Sequence, residues 1–139
     1  MKIATTFGDP QAVSKRRCDA LVASVATPPS FLADLVIATV LPKKNPTGPL
    51  LVVRSGRWLE YQAPVTAVNR IRLVAWHPDE DVAWDIVSWF HGRLLAFPGD
   101  EDVVSFRYDD GPQKGTDPDF DSPIAACTIA VRMRPARIV

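Results

Sequence analysis

Val65-Thr-Ala-Val-Asn-Arg-Ile-Arg-Leu-Val-Ala-Trp76 and, two residues later, Asp79-Glu-Asp-Val-Ala-Trp-Asp-Ile-Val-Ser-Trp-Phe-His-Gly-Arg-Leu-Leu-Ala96 form the stretch on which the fold turns. In the first half Val68, Ile71, Leu73 and Ala75 interleave with Thr66, Asn69, Arg70 and Arg72, imperfectly around 68–71, as in a strand with one wet face. In the second half Val82, Ala83, Ile86, Val87, Phe90 and Leu94 recur at spacings of three and four, the stripe of a helix that packs on a sheet. Asp79-Glu80-Asp81 puts carboxylates where the helix dipole is positive. The apolar period changes from two to about 3.6 across His77-Pro78, which predicts a strand followed by a helix lying on the same sheet.

Upstream, Leu50-Leu-Val-Val-Arg54 reads as a strand, and Ser55-Gly56-Arg57 as a tight turn into Trp58 and Tyr61. The β-branched run Leu35–Leu41 reads as another strand. Between them, residues 42–49 carry three prolines without amide donors, so this segment is expected to be an exposed loop. A first helix is predicted from Pro10 to about Val25, capped by Asp9, with Ala12, Val13, Leu21, Val22 and Val25 as its stripe. Ser14-Lys15-Arg16-Arg17 interrupts that stripe and predicts exposed or frayed first turns. Downstream, Val103–Arg107 and Ile124–Met133 read as strands joined by a long polar loop, Tyr108–Pro123. The order helix, three strands, helix, two strands implies an α+β fold: a mostly antiparallel sheet of four to five strands with two helices packed on it, the later strands at its centre. At 139 residues the chain fits one domain, 1–139.

Sixteen basic and sixteen acidic side chains cancel, which removes the basic excess of a dedicated nucleic-acid binder. The cancellation hides an asymmetry: residues 1–78 hold ten basic and four acidic groups, residues 79–121 three basic and twelve acidic. Unlike surfaces of this kind suit head-to-tail contact between copies, though solvation of a helix start and two loops would produce the same tally. No apolar run approaches a membrane span, because Asp34 and Pro42 bound the longest one, and no secretory leader is evident. A soluble chain made in a cytoplasm is the expectation.

Groups able to do chemistry are scattered. Cys18 and Cys127 have neither disulfide-framework nor metal-site spacing and read as free buried thiols, although Cys18 adjoins a basic stretch that suggests an exposed helix face. His77 and His91 could join Asp79 or Asp81 on a metal, but a fourteen-residue separation matches no short histidine motif. Asp100 with Asp102, and Asp117 with Asp119 and Asp121, resemble parts of a hard-cation site without the closing glutamate of a calcium loop. There is no nucleophile elbow, phosphate loop or dinucleotide fingerprint, so no catalytic residue, metal or cofactor is assigned. A small metal-dependent hydrolase is the enzymatic alternative, a stand-alone small-molecule binder another.

From Leu35 to Pro135 the series is a β-rich stretch ending at Leu41-Pro42, a loop with Pro46 and Pro49, and the strand Leu50–Arg54 with Ser55-Gly56. The alternating strand Asn69–Trp76, the acidic-start helix and, past an acidic loop, a last strand Thr128–Pro135 complete it. In order and spacing this series, covering about residues 30–136, resembles the tail-terminator, or tail-completion, proteins of long-tailed bacteriophages with non-contractile tails. The four tryptophans, the long acidic loop and the basic first helix depart from that pattern. The resemblance implies a non-catalytic subunit of a six-fold ring that caps the tail tube, stops its polymerisation and offers the surface for head–tail joining. Its implied partners are itself, the tail-tube protein and a head–tail connector protein, with DNA only passing through the lumen and no membrane. Its implied place is the head-proximal end of the virion tail; another neck component is the nearest alternative. The residues expected at contacts are Lys43 and Lys44 in the proline loop, Arg70 and Arg72 on the wet strand face, and Asp79, Asp81, Asp117, Asp119 and Asp121 as their opposites. Trp58 and Tyr61 are expected either as aromatic anchors of an interface or as core.

Overall fold

A computed structural model describes residues 6–62 and 66–136, without side-chain placement for residues 6, 57–62, 66 and 136. Helix α1 (Pro10–Ser24) begins as the sequence indicates: the Asp9 carboxylate accepts from the Gln11 amide at 2.9 Å, and Pro10 fills a first-turn position that has no intrahelical donor to lose. Its buried face is not interrupted, contrary to expectation. Pro10, Val13, Ser14 and Cys18 are buried and continue into Leu21, Val22 and Val25. Ser14 and Cys18 are small enough to sit against the sheet, while Lys15 turns outward and pairs with Asp19 at 2.7 Å, one helical turn on. Cys18 therefore lies in the core and not on an exposed basic face.

Five strands form one sheet in the order β2 (Val36–Ala38), β3 (Leu50–Gln62), β4 (Thr66–Trp76), β6 (Ser122–Met133), β5 (Val103–Asp117). Only β2, at one edge, runs parallel to its neighbour, pairing Val36 with Leu50; the other pairs are antiparallel. A two-residue ladder joins β1 (Thr6–Phe7) to β7 (Pro135–Ala136). With α1 and α2 (Glu80–Leu95) packed against this sheet, the fold is α+β.

Four local expectations are corrected. The run 35–41 yields only the short edge strand β2. Ser55-Gly56-Arg57 is no turn: β3 continues to Gln62 and absorbs these residues as a register shift against β4 between Ser55 and Trp58. The backbone there is held from the next strand, since the Asn69 amide donates to the Gly56 carbonyl at 3.2 Å. Tyr108–Pro123 is no long loop either. Strand β5 runs to Asp117, and register shifts around Asp110 accommodate Gly111-Pro112. Gly111 has φ +94, and a Cβ there would come within 2.7 Å of the Cys127 backbone, so only glycine fits this approach to β6. Last, β4 holds the centre, with β6 beside it and β5 at an edge, because the connection through α2 returns the chain to the far side of β4.

The strand period separates two faces. Leu51, Val53, Ile71, Leu73, Ala75, Ala125, Cys127, Ile129 and Val131 meet Ile86, Val87, Phe90 and Leu94 of α2 and Val13 and Cys18 of α1 in the main core. Each large side chain fully removed from water there stabilises the fold by about 1.5–3 kcal/mol. On the open face a second, smaller cluster of Val52, Val74 and Trp76, flanked by Leu50, Ile124 and Ala126, occupies one end. Arginines occupy the other. No helix among the described residues is long and apolar enough to cross a membrane.

Candidate functional site

Strand alternation places Arg54, Arg70 and Arg72 on the open face, where they line a shallow depression of about 500 Å³ with Ser55, Gly56, Asp109, Asp110 and Thr128. Arg54 and Arg72 stand directly opposite each other in the β3–β4 register, with Thr128 next in line on β6. Like charges opposed in this way repel. Arg54 donates to the Thr39 carbonyl at 3.3 Å, and Arg72 has no ion pair among the described residues. Arg70 is paired: its Nε donates to Asp109 Oδ2 at 2.8 Å. The sequence does not single out Asp109, because reading 108–123 as a loop hides its place on β5, from which it reaches Arg70 across β6.

Lys43 and Lys44 are exposed in the proline-rich loop at the β2 edge, as expected. Trp58 and Tyr61 pair through β3 with Asn69 and Ala67, but their side chains lie outside the described residues, so the choice between anchor and core is not addressed by the geometry.

The acidic residues divide by role. Asp79 caps α2, accepting from the Asp81 amide at 2.9 Å, while its own amide donates to His77 Nδ1 at 2.9 Å. The exposed Asp81 carboxylate receives the Lys114 ammonium at 2.7 Å, and this hydrogen bond raises the lysine pKa. Asp117 is 7% exposed. It accepts from the Trp76 indole at 2.9 Å and from the backbone amides of Asp119 and Phe120 at 2.8 and 3.3 Å. Burial pushes its carboxyl up, but the indole and the two amides outweigh this and hold it below the ordinary carboxylate value. Asp117 is thus committed to the β5–β6 turn and to Trp76. The exposed Asp119 and Asp121 stand on that turn and point their charge at solvent. Within one chain, none of the five expected acids is in an ion pair with Arg70, Arg72, Lys43 or Lys44.

A second carboxylate-built corner was missed. Asp100 accepts from the amides of Asp102 and Val103, each at 2.9 Å, and pairs with Arg17 of α1 at 2.9 Å. Arg17 also lies 4.1 Å from the centroid of the Phe97 ring. Burial raises the Asp100 carboxyl, and the amides and guanidinium more than reverse that, leaving it below its ordinary value. Its spacing to Asp102 suggested a cation site, whereas the carboxylate is a fastener between the β5 start and α1.

Other chemical candidates do not converge. No group of three or more His, Cys, Asp or Glu side chains able to hold a metal occurs among the described residues. His91 is half-buried on α2, edge-on to Tyr108 with ring centroids 5.9 Å apart, and burial lowers its pKa. His77 is engaged at the α2 start. The Cys18 thiol is pushed far up by burial first and by neighbouring Asp19 second, and burial pushes Cys127 up to about 12, so both stay as thiols.

Charged residues, paired and unpaired together, are segregated by strand. Residues 36–76, which supply β2, β3 and β4, contain six basic groups and one acidic group. Residues 100–121, which supply β5 and its turn at the opposite edge, contain eight acidic and two basic groups. No protein-family model matches the chain, and comparison with curated proteins finds no significant match.

Proposed function

We propose that this chain is a non-catalytic structural subunit of a phage tail, a tail terminator that closes into a six-fold ring on the tail tube, stops tube polymerisation and presents the head-joining surface. The observation that carries the reading is the charge polarity of the sheet, basic from β2 to β4 and acidic along β5. A subunit with unlike opposite edges associates head to tail, and such contacts close into a ring when the rotation per subunit allows. The ordered succession of strand, proline loop, two long strands, acidic-start helix and final strand supports the same reading through the resemblance described above. On this proposal the partners are other copies, the tail-tube protein and a connector protein, and DNA passes the acidic side without adhering.

The test is tube growth. The tail-tube protein is polymerised with and without this chain, and tube lengths and ends are imaged by electron microscopy. Short tubes carrying a ring at one end are expected. Unlimited growth with bare ends overturns termination and leaves a neck component that docks elsewhere.

A further inference from the structure

Among the described residues, the large apolar side chains left most exposed are divided between the two edges of the sheet. Val36, Val40 and Leu41, at 58, 65 and 51% exposure, belong to the β2 edge and the start of the proline loop. Tyr108, at 63%, stands on β5, the opposite edge. Beside the first group lies a cleft of about 340 Å³ lined by Val36, Pro42, Lys44, Pro46 and Leu50 among others, large enough to receive an aromatic ring. The prolines fix its walls with little conformational freedom left to lose on binding. Tyr108 is braced edge-on by His91, so its ring projects from a supported position, and a tyrosine gives a large contact area for few rotatable bonds.

Charge follows the same division. Lys44 and Asp34 both line the cleft, the exposed Lys43 adjoins Lys44, and the segment 36–53 has no acidic residue. Tyr108 stands on the helix side of β5 against His91, while Asp109, engaged by Arg70, and the exposed Asp110 lie on the open face of the same edge. The β5 edge itself is a poor template for strand pairing, because register shifts, Pro112 and Lys114 break its ladder. Side chains, and not backbone pairing, are what this edge offers.

We infer that Tyr108 of one copy inserts into the proline-loop cleft of the next, bringing the acidic β5 edge against the basic β2 edge, and that this contact is the repeating joint of the assembly. The occupant of the cleft is a second copy of this chain: an aromatic knob on the acidic edge of the sheet and an apolar cleft on the basic edge belong to the same molecule. The inference rests on the head-to-tail reading given above and names its interface.

Two single variants of the full chain, Arg107→Cys, which keeps the Tyr108 ring, and Val40→Cys, test it. Cys18 and Cys127 are buried, so a short bismaleimide reports only the introduced thiols. The two variants are treated separately and mixed, at high concentration and on tube ends. Cross-linked dimer is expected in the mixture and not in either variant alone, and a chain carrying both cysteines should give a ladder of multimers. Equal dimer in a single-variant sample would mean a symmetric contact and overturns the inference, as does absence of dimer from the mixture both free and on tubes that wild type caps. In sedimentation of the unmodified chain, Tyr108→Ala is expected to weaken self-association at least about tenfold, and added salt to weaken it in wild type. Unchanged association of a folded Tyr108→Ala overturns the inference. The two readings separate cleanly: a cross-linked ladder with uncapped tubes removes the terminator reading and keeps this joint, whereas capped tubes without mixed dimer do the reverse.

Discussion

The helix-covered and open faces of the sheet are made by the same strands, yet they differ in what an added or lost charge would do. On the covered face Leu51, Val53, Ile71, Leu73, Ile129 and Val131 meet two helices and are shielded from water. On the open face burial extends only as far as Val52, Val74 and Trp76, after which Arg54, Arg70 and Arg72 take over. One face therefore encodes stability, and the far half of the other is free to encode contact, because surface charge contributes little to folding.

The largest expected effect lies on the covered face. Phe90, fully buried and edge-on to Trp89 at 4.9 Å between centroids, reaches the centre of the main core. Phe90→Ala should cost about 3–5 kcal/mol, seen as a lower urea midpoint with unchanged slope. A cost under about 1 kcal/mol would break the comparison, since the covered face would then not be what holds the fold.

The next effect sits where the open face is still buried. Asp117 fastens Trp76 and two turn amides, so Asp117→Ala should cost about 2 kcal/mol through the lost charge-assisted hydrogen bonds. Its folded pKa lies below the unfolded one. The stabilisation is therefore complete above the ordinary carboxylate range and is lost as pH falls through the depressed folded value. Asp100 adds to the same acid limb with the same sign. Stability measured from pH 6 down to 2 should fall less steeply in Asp117→Asn than in wild type. Parallel curves would show that Asp117 gains nothing from its ionised form.

A smaller effect belongs to the edge of the covered face. Asp79 satisfies one free amide at the α2 start, and Asp79→Ala should cost about 1 kcal/mol by urea unfolding. Glu80 and Asp81 remain to favour the dipole, so the helix should persist by circular dichroism.

How much of this was legible depends on how locally each feature is determined. Helix α2 and strand β4 were readable because their core-facing residues follow one period each, although Val74 and Trp76 of β4 are apolar on the open face. The α1 stripe was harder: Ser14 and Cys18 are small, and neither type announces burial, yet they lie four residues apart, in line with Pro10. Strand β5 was misread because Asp109-Asp-Gly-Pro112 has turn composition, and only pairing with β6, through register shifts that the sequence cannot display, makes it a strand. Its pairing also decides the site. Once β5 lies at an edge, Asp109 reaches Arg70 and Tyr108 is left exposed beside His91. Neither consequence has a local sequence signal. Lys43, Lys44, Asp119 and Asp121, by contrast, stand in loops and turns whose proline, glycine or aspartate content already implied exposure.

The smallest expected effect is the one that most sharpens the contrast between faces. Arg72 is exposed, stands directly across from Arg54, and has no ion pair among the described residues. Its Coulomb interactions in the monomer are therefore repulsive toward Arg54, while its stem gains a little from packing over the strand. Arg72→Gln should change stability by less than about 0.5 kcal/mol, toward greater stability at low ionic strength, and the difference from wild type should shrink as salt screens the pair. Urea midpoints at two salt concentrations measure this. A loss above about 1 kcal/mol at both would mean that packing holds Arg72, and the arginine end of the open face would then belong with the core. If stability is unchanged or improved while head-to-tail association or tube capping falls, the side chain is kept for a contact outside its own chain. That outcome separates the two faces by what their residues are for, since no substitution of Phe90 can lower assembly without lowering folding first.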